Sequence, residues 1–181
     1  MFRKRNNLVR GSCFTLLLVM SLQSVDASEW IFKKEDKAFG DVDATAMAIG
    51  DESIVFVRCS SAELSVSIAT PENWKDSSSA MNELGPKLIM AVDGSEPFKY
   101  GATLGENGAH KFLASIEEQD SVREAIEKMI AAKKKIEIGI ELGGKRFYAS
   151  KLSAVGASKK LQAVLDTCAA KETEIKAPEK K

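Results

Sequence analysis

From Trp30 to about residue 115, apolar side chains recur with a period of two in short runs broken by turn residues, the pattern of antiparallel strands. Trp30-Ile31-Phe32 opens a first strand, and residues 44–49 form a second that ends at Gly50-Asp51. Residues 53–59 alternate as a third, with Val55, Val57 and Cys59 on one face and Ile54, Phe56 and Arg58 on the other. Both faces are largely apolar, so this strand is expected to be central. Residues 63–69 turn Leu64, Val66 and Ile68 inward, and Ser60-Ser61-Ala62 is short enough for a hairpin. The alternation then fails over residues 70–85, which hold Pro71, Trp74 and the polar run Lys75-Asp76-Ser77-Ser78-Ser79. They read as a surface loop with a short helical turn near Met81. A strand over residues 87–92, the turn Asp93-Gly94-Ser95-Glu96-Pro97 and a strand pair at 99–104 and 109–113 complete this region.

The period then changes. Ser121-Val122-Arg123-Glu124 has the spacing of a capping box, and Val122, Ile126, Met129 and Ile130 follow at helical intervals. Lys133-Lys134-Lys135 suits the negative end of that helix. Ile136, Ile138, Ile140 and Leu142 alternate again, and Gly143-Gly144 turns the chain into a strand over residues 145–152. A two-residue turn there sets Ile140 opposite Phe147, Ile138 opposite Ala149 and Glu141 opposite Arg146, which makes Arg146 a cross-strand partner of Glu141. A last helix spans residues 157–169, with Leu161, Val164, Leu165 and Cys168 on one face. Residues 171–181 alternate charges around Pro178 and are expected to be a disordered tail. The fold class is therefore α+β: a β-rich antiparallel sheet or sandwich with one internal helix and a C-terminal helix.

Residues 1–27 have the make-up of a cleaved secretory signal. Arg3, Lys4, Arg5 and Arg10 precede an apolar stretch at 13–22, and Val25-Asp26-Ala27 offers small residues for cleavage. The stretch falls short of the about 20 residues that span a bilayer, and Cys13 lies at its start, where it cannot become a lipidated terminus. No stable membrane anchor is expected after cleavage, and residues 28–170 form one exported domain, in keeping with a chain that is 44% hydrophobic and 29% charged. Basic and acidic side chains number 26 each; cleavage removes four basic groups and one acidic group and leaves a mildly acidic protein. That argues against nucleic acid or anionic membrane as a partner, since both require clustered cations. Of the three cysteines, Cys59 and Cys168 remain, an even pair in an oxidising compartment, and they are predicted to be bonded. Their helical and strand faces both point to the core. A reactive or metal-binding pair would need a nearby histidine, a C-x-x-C spacing or a basic setting, none of which is present.

Catalytic hardware is sparse. His110 is the one imidazole, no G-x-S-x-G or H-E-x-x-H occurs, and Gly101-Ala102-Thr103-Leu104-Gly105 lacks the ending of a phosphate loop. No enzyme, cofactor or metal site is expected. Trp74, Tyr100 and Tyr148 are the candidate partner-binding residues, with Trp30 and Phe98 beside them, each with a core role as the alternative.

The order of parts carries a resemblance: a signal, a Trp at the mature start, Val55-Phe56-Val57-Arg58-Cys59, Val92-Asp93-Gly94, a helix, a hairpin and the closing Leu161-Gln162-Ala163-Val164-Leu165-Asp166-Thr167-Cys168. The chain resembles small bacterial periplasmic proteins of the type VI secretion-associated VasI-like group and their uncharacterised secreted relatives. It is less similar to the invasion-associated locus B family, whose extra cysteine pairs it lacks. The first resemblance implies a periplasmic or secreted, non-catalytic accessory or binding protein that acts on an envelope or secretion-system partner. A secreted virulence or host-directed factor is the alternative, and a small periplasmic hydrolase a lesser one. No ligand and no oligomeric state follows from it.

Overall fold

The alternating runs become nine strands of one antiparallel sheet in a computed structural model that describes residues 30–37, 42–51, 53–109 and 111–176. The strands are β1 (Ile31–Asp36), β2 (Val42–Ile49), β3 (Ile54–Ser60), β4 (Glu63–Asn73), β5 (Lys87–Val92), β6 (Phe98–Glu106), β7 (Lys111–Ile116), β8 (Lys135–Leu142) and β9 (Lys145–Ser153). Their order across the sheet is β1-β2-β3-β4-β7-β6-β5-β8-β9. Helix α1 (Gln119–Ala131) links β7 to β8, and α2 (Ala157–Lys176) follows β9. The architecture is α+β with the internal and C-terminal helices, and its β part is one curled sheet rather than a sandwich of two. The expected signal at 1–27, His110 and residues 177–181 lie outside the described residues.

Both helices cover the same face of the sheet. Val55, Val57, Leu64, Val66 and Ile68 are buried beneath them, as alternation required. On β2 that face is Ala44, Ala46 and Ala48, all without solvent exposure, and these small side chains leave room for α2 to lie close over β1, β2 and β3. Leu161, Val164 and Cys168 point down from α2, while α1 lays Val122, Ala125, Ile126 and Met129 over β4, β5 and β7. Burying side chains of the size of Leu161 or Ile126 contributes about 1.5–3 kcal/mol each. Cys59 stands opposite Ala44 in the β2–β3 register, directly under α2, and is bonded to Cys168 with the Cα atoms 5.6 Å apart. The sheet curls until its edges meet at one end, where Trp30 Nε1 donates to the Ser153 carbonyl at 2.9 Å.

Several local expectations are corrected. Helix α1 starts two residues before Ser121: Glu118 takes the N-cap position and Ser121 sits in the first turn, so no capping box forms. The Gln119 side chain donates to the Leu64 carbonyl at 3.0 Å, which ties that earlier start to the β3–β4 hairpin. The expected loop at 70–85 is more ordered than its composition suggested. Strand β4 runs on to Asn73 through an irregularity between Ala69 and Asn73, and a 3-10 helix spans Asp76–Leu84. Its Asn82 amide bridges the N–H (2.7 Å) and carbonyl (3.0 Å) of Leu104, on β6 beyond where β5 begins its pairing. At the C-terminus α2 continues past residue 170 to Lys176, because Lys171 is buried and Glu172 pairs with Arg123 at 3.2 Å. The hairpin Ser61-Ala62 and the turn Gly143-Gly144 both have positive φ at their two central residues, as tight two-residue hairpins require.

Candidate functional site

Strand β9 is an edge of the sheet, and it departs most from expectation. The turn pairs Leu142 with Lys145 and Glu141 with Arg146 as anticipated, but Ile140 then faces Tyr148 and Ile138 faces Ser150. Phe147 is the extra residue of a β-bulge. Beyond a bulge every side chain changes face, so Ser150 and Leu152 are buried and Ala149 is exposed, the reverse of the expected register. The cause is legible afterwards: an unbulged strand would bury Lys151 and expose Leu152. Gly139 accommodates the shift, since a Cβ there would run into the Tyr148 carbonyl oxygen.

The bulge turns Phe147, 38% exposed, toward an aromatic row at the open end of the edge. Phe147 lies 5.6 Å from Phe112, and Phe112 lies 5.0 Å edge-on from Trp74. Trp74 and Tyr148 are half-buried against the core beside them. The exposed Leu84 ends the 3-10 helix, whose carbonyl there accepts from the Gly143 N–H at 3.3 Å, so the β8–β9 turn is docked at the same end. Of the sequence candidates, Trp74 and Tyr148 thus belong to this partly exposed end. Tyr100 does not: it is 4% exposed on β6, its hydroxyl has no partner among the described residues, and burial, aided by Glu124, pushes its pKa up to about 12. Trp30 is buried at the opposite end, and Phe98 lies under the Lys128 ammonium, 3.8 Å from its ring centre. Phe147 escapes a reading of the sequence because the unbulged register assigns it to the core, and Phe112 because it reaches Phe147 through the curl of the sheet and not through spacing.

On the face of β5, β8 and β9 turned away from the helices lies an open cleft of about 200 Å³. Its floor is apolar, with Ile89 and Ala91 from β5 and Ala149 from β9, and Pro97 stands at its wall. Glu137, Arg146 and Lys151 rise from the strands, and Asp51 reaches in from the β2–β3 turn. The expected Glu141–Arg146 pair is in register, but the Glu141 carboxylate accepts from Lys99 Nζ at 2.7 Å instead. Glu137 accepts from Lys135 at 3.1 Å. Arg146 makes no hydrogen bond or ion pair among the described residues.

The lysine run after α1 has a role its charges did not predict. The backbone N–H groups of Lys133, Lys134 and Lys135 all donate to the Asp93 carboxylate, at 2.7, 2.7 and 3.0 Å. The run thus holds one of the chain's own carboxylates, and holds it with main chain. Among the described residues no group of three His, Cys, Asp or Glu side chains could hold a metal ion, and no helix is long and apolar enough to cross a membrane. No family model, curated protein or solved structure matches the chain.

Proposed function

We propose that the chain is an exported, non-catalytic accessory or binding protein of the cell envelope, working with a secretion system, as its resemblance to the VasI-like group implies. The observation that carries export is the buried Cys59–Cys168 bond, since such bonds form and persist in oxidising compartments and are rare in the cytosol. The surface offered to a protein partner is the open end of β9, where Phe147 adds apolar area to Trp74 and Tyr148, whose rings carry polar tips in the manner of interface anchors. The test is affinity purification of the oxidised protein from envelope fractions, with mass spectrometry of what stays bound. Envelope or secretion-system proteins should be recovered with the parent and lost with Trp74→Ala, and an unchanged partner set would remove this end as the binding surface. Accumulation in the medium with no envelope partner would favour a secreted, host-directed factor.

A further inference from the structure

We propose that the cleft on the outer face of β5, β8 and β9 binds a small apolar carboxylate, with its anionic end at Arg146 and its apolar body over Ile89, Ala91 and Ala149. The site is distinct from the aromatic end of β9, and the proposal does not depend on where the protein is exported.

Size sets the first limit. A cavity of about 150 Å³ takes a benzene ring, so a cleft of about 200 Å³ suits a ligand of about ten non-hydrogen atoms and is small for a drug-sized molecule. The floor sets the second. Ile89, Ala91 and Ala149 offer no hydrogen-bonding side chain, and Gly139 between β5 and β9 adds none, so the body of the ligand must be apolar.

Charge sets the third. At the far end of the cleft, Asp51, Glu137, Lys135 and Lys151 balance one another in sign, and Glu137 is already engaged by Lys135. At the near end Lys99 neutralises Glu141, the cross-strand neighbour of Arg146. By sign, the guanidinium is the cation left over when the charges about the cleft are counted, and its fork of donors fits a carboxylate held by two parallel hydrogen bonds. Such a carboxylate occurs both as a free medium-chain acid and as the C-terminal residue of a peptide.

The two sources are separated by titrating the oxidised protein, ¹⁵N-labelled, with octanoate and with N-acetylleucine, using octanamide and N-acetylleucinamide as uncharged controls. The amides of Ile89, Glu137 and Ala149 should shift saturably with an acid and at least about tenfold more weakly with its amide. Tighter octanoate identifies a free acid, and tighter N-acetylleucine a peptide terminus. Arg146→Gln, on an exposed side chain, should retain the parent melting temperature and weaken the acid about tenfold or more, while Ala149→Trp should fill the floor and abolish binding. The proposal is overturned if the amides bind as well as the acids, if Arg146→Gln binds like the parent, or if the cleft resonances do not move at millimolar ligand.

Discussion

Asp93 has φ +51 in the turn after β5, a conformation that asparagine and aspartate tolerate better than most residues. Three main-chain N–H groups converge on its carboxylate. Those of Lys135, Lys133 and Lys134 hold its pKa below the ordinary 3.8, with the Lys134 charge adding to the effect. A lowered folded-state pKa contributes stability that is present above 3.8 and is lost as the pH falls through the folded value. Asp93→Asn should therefore melt below the parent at neutral pH, and the gap should close on acidification below 3.8; calorimetry across that range measures it. A gap that persisted unchanged in acid would mean that the charge of the clamp contributes nothing. The Asp-Gly turn was visible in the sequence, but its bond to the lysine run was not, because it joins positions about 40 residues apart and uses the main chain, which has no side-chain signature.

At the scale of elements, Ala44, Ala46 and Ala48 make β2 a smooth bed for α2. Ala46→Leu would place a larger side chain under the helix, and overpacking of this kind costs about 1–3 kcal/mol. Denaturant unfolding should show that loss; a variant as stable as the parent would mean that α2 does not lie close over β2. The strands were legible wherever one face is buried, and β3, β5 and β8 lie within about a residue of their expected limits for that reason. Three features were less legible. The 3-10 helix is fixed by a long-range bridge from Asn82 to β6, the start of α1 by Gln119 on the β3–β4 hairpin, and the β9 bulge by a parity conflict between Phe147 and Leu152. The aromatic row could be read only in part, since Trp74 and Phe112 meet Phe147 through the curl of the sheet and not through sequence spacing.

For the molecule as a whole, the Cys59–Cys168 bond closes a loop of 109 residues that takes in β4 through β9 and α1. The chain-entropy model gives such a closure about 4–5 kcal/mol. Cys59→Ala with Cys168→Ala should lose a comparable amount in urea unfolding of the oxidised pair against the parent, and the native parent should resist mild reductant because both sulfur atoms are buried. Loss of less than about 1 kcal/mol would show that the unfolded chain is already compact without the link. The covering of β1 to β3 has a further consequence in time. A chain that emerges N-terminus first completes its opening four-strand meander early, yet the alanine face of β2 stays wet until the 20 residues of α2, the last element, have arrived. For most of its emergence the nascent protein is thus an adhesive half-sheet on which Cys59 still waits for Cys168. Its passage to the native state depends on whatever shields that face before the final helix closes the lid and the oxidant seals it.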